Sequence, residues 1–310
     1  MRLKTKLILA AGLIAATAPA IAHRQWMVPS ATIFSGKDDW VTVDAAISND
    51  LFFPDHFPMQ LDGVKVWQPD GQPGKIENGS TGRYRSTFDV HLDKPGTWKI
   101  GTLSSGVSGS FKVDGTEWRV GGRRGPPPAA AGAAPGGPAG APPAAGPQGG
   151  AGGPSGPGGP QARPSVATVA EIPANATDVK ITESSGKYEM FVTTGAPTDA
   201  VYKPANKGLE MVPVTHPAEL VAKETAKLKF LVDGKPAANL KVTVIPGGKR
   251  YRDAEEGMEL TTGADGVLAV TWPTAGMYWL NTTTSDKNVT TPRATDRRMS
   301  YTATLEVMAP

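Results

Sequence analysis

The chain has no cysteine. That excludes disulfides, thiolate metal sites, cysteine nucleophiles and a lipid-modified N-terminal cysteine, so the fold must rest on its cores alone. Histidine is scarce. The four present, His23, His56, His91 and His216, form no local ligand cluster and no helical His-x-x-x-His pair. Enzyme motifs are missing too: there is no Gly-x-Ser-x-Gly, no His-Glu-x-x-His and no glycine loop set between a strand and a helix. Beyond residue 22, no apolar run approaches the ~18–20 residues that span a bilayer. These absences argue for a non-enzymatic chain without stable membrane insertion.

Excess charge is also lacking once the N-terminus is set aside. Arg2, Lys4 and Lys6 lead into a Leu/Ile/Ala run from Leu7 to Ala18, and Ala20 and Ala22 satisfy a small-x-small cleavage rule. Residues 1–22 therefore read as a secretory signal cut after Ala22. Without its three basic residues, 29 basic side chains face 29 acidic ones. The basic pI is then no nucleic-acid signature, and no basic cluster with interleaved aromatics appears. A periplasmic location is expected.

Cleavage after Ala22 would leave His23 first, with a free α-amine beside its own imidazole, a bidentate metal chelate. A cut after Ala20 would instead leave Ile21-Ala22-His23, whose terminal amine, backbone nitrogens and third-position histidine suit square-planar Cu(II) or Ni(II). The polar spacer after the apolar run favours the Ala22 cut.

The rest of the chain reads as all-β. Short runs rich in β-branched and aromatic residues alternate with turn residues at intervals of roughly 8–15 positions, the pattern of sandwiches rather than βαβ units. Expected strands include 40–47, 63–67, 83–91, 97–103, 109–113 and 117–120, then 179–183 and 187–194. Later ones are 226–232, 239–245, 267–272, 277–280 and 301–308. His216-Pro217-Ala218-Glu219 could open one helical turn, with Pro at its first position. Lys94-Pro-Gly-Thr-Trp-Lys-Ile100 and Pro273-Thr-Ala-Gly-Met-Tyr-Trp-Leu280 echo each other, which supports two related modules. Residues 121–165 are almost entirely Gly, Pro and Ala, without a triplet register. Such a stretch cannot bury enough apolar surface to offset its ordering entropy and is expected to be disordered, as an insert within the first module. The expected division is a signal at 1–22, an N-terminal sandwich at 23–205 containing the insert, and a C-terminal sandwich at 206–310. Both sandwiches are expected to be immunoglobulin-like or prealbumin-like.

Several segments carry a resemblance. His23-Arg-Gln-Trp-Met-Val-Pro-Ser30 and Ser48-Asn-Asp-Leu-Phe-Phe-Pro-Asp-His-Phe-Pro58 begin it. Gly208-Leu-Glu-Met-Val-Pro-Val-Thr-His-Pro217, Phe230-Leu-Val-Asp-Gly-Lys-Pro236 and the stretch from Asp265 to Leu280 continue it. Together they resemble the exported domain-of-unknown-function family 4198, whose members are often labelled periplasmic components of nickel or cobalt uptake. The resemblance implies a suspected ligand role for His23 and supplies no catalytic residues.

The residues admit competing readings. His56 lies beside Asp55 in an aromatic, Pro-rich loop, where a carboxylate could orient a ligand from behind; a hydrogen-bonded loop residue is the plainer account. His216 follows a strand and precedes Pro217, with the same two readings. His91 reads as a polar strand-end residue. Met27 and Met59 are soft donors near His23 and His56 in sequence, though methionine is more often core filler. Trp26 and Trp40 are the tryptophans to check for exposure. The expected metal ligands are His23, His56 and His216, around one Cu, Ni, Co or Zn ion. The expected role is a periplasmic accessory for uptake or homeostasis of a transition metal or its complex, iron complexes included. An outer-membrane receptor or inner-membrane transporter would be its partner. Two rivals stand beside it: a non-catalytic envelope module docking on an outer-membrane receptor, and a copper enzyme with an N-terminal histidine brace.

Overall fold

The computed structural model describes residues 23–36, 38–121 and 163–310. The expected signal at 1–22 and nearly all of the expected Gly/Pro/Ala insert lie outside the described residues. The described residues hold strands, four single 3-10 turns and no α-helix; no helix among them is long and apolar enough to cross a membrane.

The first half contributes β1 (Arg24–Pro29), β2 (Ile33–Phe34), β3 (Asp39–Ser48), β4 (Phe57–Pro58) and β5 (Val64–Trp67). It continues with β6 (Glu77–Thr81), β7 (Ser86–Leu92), β8 (Gly96–Val113) and β9 (Thr116–Val120). After the undescribed segment come β10 (Ser165–Val166), β11 (Thr177–Thr194), β12 (Leu209–Pro213), β13 (Thr225–Val232) and β14 (Lys235–Pro236). The last five are β15 (Lys241–Pro246), β16 (Met258–Thr261), β17 (Val267–Thr271), β18 (Gly276–Asp286) and β19 (Asp296–Val307).

Alternation builds the layers. In β3, Val41, Val43 and Ala45 point inward while Trp40 and Thr42 face solvent; in β7, Ser86, Phe88, Val90 and Leu92 are the buried set. These strands form a five-stranded sheet ordered β1-β3-β7-β6, with β4 also on β3. A ten-stranded sheet runs β10-β9-β8-β11-β19-β18-β15-β16, with β2 on β11 and β5 on β8. A third sheet of four strands runs β12-β13-β14, with β17 on β13.

The ten-stranded sheet serves both sandwiches. Consecutive residues of β11 split between the two cores. Met190 and Val192 pack with Trp26, Phe88, Trp98 and Trp279 against the five-stranded sheet, while Phe191 packs with Leu228, Phe230 and Tyr301 against the four-stranded sheet. The 205/206 division therefore separates two cores but not two sheets. β11 and β19 pair in parallel from Thr182↔Asp296 to Met190↔Thr304, across that division.

Two expected breaks are absent. Positions 97–103 and 109–113 belong to one strand, β8, and 179–183 and 187–194 to another, β11. The serine- and glycine-rich stretch 104–108 was left between two expected strands. It stays paired with β11 throughout, and Gly109 just beyond it marks close approach: a Cβ there would lie 2.1 Å from the Lys180 carbonyl oxygen. The 94–100 and 273–280 echo has a structural counterpart. Gly96 and Gly276 open β8 and β18 with φ of 125° and 137°, both feeding the ten-stranded sheet. The flanks of the insert meet, since Arg119 N–H donates to Pro164 O at 3.0 Å and Gly121 N–H to Val166 O at 3.1 Å.

Candidate functional site

Strand β1 is paired to β3 along one edge only. Its other edge is sealed by the ten-stranded sheet. Met27 N–H donates to the Tyr188 hydroxyl at 2.9 Å, and the Thr304 hydroxyl donates to Met27 O at 2.7 Å. Tyr188 and Thr304 also bond to each other, and burial pushes the Tyr188 phenol far above its ordinary range, so it remains a neutral hydroxyl. Two residues nearer the terminus, Trp279 Nε1–H donates to Gln25 O at 3.1 Å. These bonds fix the direction in which β1 delivers His23.

The loop carrying His56 is held from the other side of β3. Buried Trp26 donates from Nε1 to Ser48 Oγ, which donates to Asp50 O at 2.6 Å. Phe52 takes φ of 63° and sets its ring edge-on to Trp26, centroids 6.0 Å apart. Asp55 accepts from Asn49 N–H at 3.0 Å. The second sandwich braces both pieces. Arg24 forms an ion pair with Glu255, its Nη2 lying 3.2 Å from Oε2, and sits over the Trp279 ring at 5.5 Å. Arg250 lies 3.6 Å from the Phe53 ring centroid. Arg252 in turn ties down the loop supplying Glu255, through Gly247 O at 2.6 Å and Pro246 O at 2.9 Å.

At this junction the His23 and His56 rings stack, with centroids 3.7 Å apart and planes at 13°. Phe57 lies against His56 at 4.0 Å. His23 is exposed and His56 half-buried. Neither ring makes a hydrogen bond or ion pair with another described residue. A depression of 550 Å³ opens beside His23, walled by His23, Arg24, Glu255 and Trp279 and floored by the ten-stranded sheet. Among the described residues, no group of three or more His, Cys, Asp or Glu is arranged around a common metal position.

A family model for a domain of unknown function (DUF4198) matches residues 20–286. The chain belongs to this family. No curated protein matches it. Two solved structures align over most of its length. The D0–D1 domain of intimin has 10% identity and a TM-score of 0.20, over 91% of this chain and 97% of its own. The ectodomain (Ig1–Ig3) of mouse nectin-like molecule 4 has 10% identity and a TM-score of 0.18, over 93% of this chain and 65% of its own. At these scores neither bears on the site.

The other candidates in this DUF4198 chain lie elsewhere. His216 caps the 3-10 turn Pro217–Glu219, where Nδ1 accepts Ala218 N–H at 3.0 Å. Its Nε2 lies 3.0 Å from Thr97 Oγ1 and 3.2 Å from the Tyr202 hydroxyl. Both ring nitrogens are engaged, so His216 offers no spare lone pair where it sits. Met27 is fully buried in the first core, and Met59 is buried with Gln25 Nε2 2.8 Å from its sulfur. Trp26 is core, whereas Trp40 is 42% exposed and stacks on His91 at 4.4 Å. His91 also pairs with Asp38.

Arg24, Arg250 and Trp279 were not singled out in the sequence, and Glu255 reads there only as half of an exposed-turn carboxylate pair with Glu256. The adjacency of Arg24 to His23 was visible there, but its partner Glu255 is supplied by the far sandwich, which no local pattern announces.

Proposed function

We propose that this chain is a periplasmic accessory protein for uptake or homeostasis of a transition metal, with His23 and His56 as imidazole ligands. The supporting observation is their stacking at 3.7 Å, at a junction held by both sandwiches. With the signal cut after Ala22, the α-amine of His23 would add a third nitrogen. Imidazole and amine nitrogens suit Cu(II), Ni(II), Co(II) or Zn(II). Imidazole lone pairs lie in the ring plane, so two parallel rings do not aim at one point. Ligation requires the exposed His23 ring to turn about its side-chain torsions while His56 stays against Phe57. His216 is left out of this site because both its nitrogens are used. The partner would be an outer-membrane receptor or inner-membrane transporter.

The amine, with an ordinary pKa of about 7.7–8.0, must lose its proton to bind, so affinity should fall below neutral pH. The test is native mass spectrometry of the protein from a secreting host, with Cu(II), Ni(II), Co(II) and Zn(II) added singly. The expected result is a mass beginning at His23 and one tight adduct, lost in His23→Ala and in His56→Ala. A correctly cut chain with no adduct above background would reject the reading. The same pair of rings also serves the histidine-brace reading, which a copper adduct with ascorbate-driven oxygen consumption would favour over transport.

A further inference from the structure

The face of the ten-stranded sheet that receives β1 continues past it. Two rows cross β8, β11, β19 and β18 there: Ser104, Gly186, Ser300 and Thr283 in one, and Thr102, Tyr188, Thr302 and Asn281 in the next, so every side chain present carries a hydroxyl or an amide. The depression beside His23 adjoins a second one of 670 Å³, and the two share Ser104, Gly186, Arg298 and Ser300. Gly186 brings two hydroxyls together over its backbone, since a Cβ there would come within 2.7 Å of Ser104 Oγ and 2.9 Å of Ser300 Oγ. Small-molecule sites typically measure ~300–1,000 Å³, and the first depression is of that size at 550 Å³. Its floor of hydroxyls, which both donate and accept, favours a polar occupant.

The cations around it are not equivalent. Arg24 is paired with Glu255, and Lys187 donates to Glu210 at 2.7 Å. Arg298 is exposed and makes no ion pair or hydrogen bond with another described residue. A guanidinium in that state is a ready partner for a carboxylate. The histidine pair is short of donors: two imidazoles and one amine leave positions open on an ion that takes four or more ligands. His23 lines the same depression as the hydroxyl floor.

We propose that this shelf receives the organic part of a metal complex, a small hydroxycarboxylate chelator. Arg298 binds a carboxylate of the chelator, Ser300 and Thr302 bond to its remaining oxygens, and His23 and His56 hold the ion. The inference rests on the metal-handling reading above and specifies the form in which the metal arrives.

The test uses Ni(II), citrate and their complex as probes on the secreted protein, read by native mass spectrometry and titration calorimetry. The expected species is protein plus one Ni(II) plus one citrate, bound more tightly than either component alone. Arg298→Ala should weaken capture of the complex about tenfold, the scale of one charge-assisted contact, and leave the affinity for bare Ni(II) unchanged. Thr302→Val, which keeps the side-chain volume, should weaken it less and in the same direction. A Ni(II) adduct that never carries citrate, or an Arg298→Ala variant that captures the complex like wild type, would overturn the inference and leave the metal reading standing. No adduct of Ni(II), Cu(II), Co(II) or Zn(II), with or without citrate, would overturn both.

Discussion

Replacing Tyr188 with Phe tests whether β1 is pinned as described. The substitution keeps the ring and its packing and deletes one oxygen. That oxygen is the partner of the Met27 amide at 2.9 Å. Tyr188 is 4% exposed and Met27 fully buried, so water does not replace the lost acceptor. A buried donor left without a partner costs about 1–3 kcal/mol. Thr304→Val should cost a similar amount, because it strips the donor from the Met27 carbonyl. The two hydroxyls bond to each other, so the double variant should fall short of the summed losses by about 0.5–1 kcal/mol. Urea unfolding of the full chain, with unchanged m-values, gives the global figures. Hydrogen exchange at the Met27 amide gives the local one, and protection there should drop more than in β3. The reasoning fails if Tyr188→Phe stays within about 0.5 kcal/mol of wild type and the Met27 amide keeps its protection.

Two further outcomes follow from groups outside the candidate site. Arg297 binds Asp233 through Nη2 at 2.7 Å and Asp286 through Nε at 2.9 Å, and these bonds hold both carboxyls below their ordinary value of 3.8. The stability they add is present above that value and lost as pH falls through the lower folded-state values. Arg297→Met should destabilise by about 2 kcal/mol at pH 7, toward the low side for a buried pair because Asp233 and Asp286 keep 30% and 34% of their side-chain exposure; it should also flatten the acid limb of a Tm-versus-pH curve. His216→Ala should cost about 1–2 kcal/mol, from the lost cap and the orphaned Tyr202 hydroxyl, while the Thr97 hydroxyl keeps Thr193 and the Thr198 amide. It should leave metal adducts in native mass spectra unchanged, and a lost adduct would return His216 to the site.

The sequence made the layers legible where one face is buried and the other wet. The alternation in β3 and β7 needs no tertiary information, and neither does the turn at Asp233-Gly234. It was misleading along β8 and β11, because residues 183–187 are polar on both faces and 104–110 nearly so, Val107 being the one apolar side chain. Their strand identity comes from pairing with each other and with β19, which hydropathy does not encode. His23 and His56 were legible as candidates through scarcity and through their neighbours. Their proximity was not, since it depends on how β1 and the 49–56 loop leave opposite sides of β3. His216 looked equally eligible in the sequence. Only the fold reveals that Thr97 and Tyr202 occupy one nitrogen and its own turn the other. The brace from Arg24 to Glu255 was illegible for a different reason: an ion pair between distant loops leaves no period or spacing behind.

The parallel seam between β11 and β19 has a consequence for how the molecule is made. During synthesis β11 can pair with β8 early, but most of its other edge waits for β19, the last of the described strands. Until β19 arrives, the first sandwich exposes a long unpaired strand, a template for wrong partners. Neither sandwich can be completed ahead of the other, because the strand that closes one edge also carries Tyr301 and Leu305 into the second core. The protein should therefore gain its structure late and in one step, and a chain stopped before residue 296 should aggregate rather than persist as a folded half.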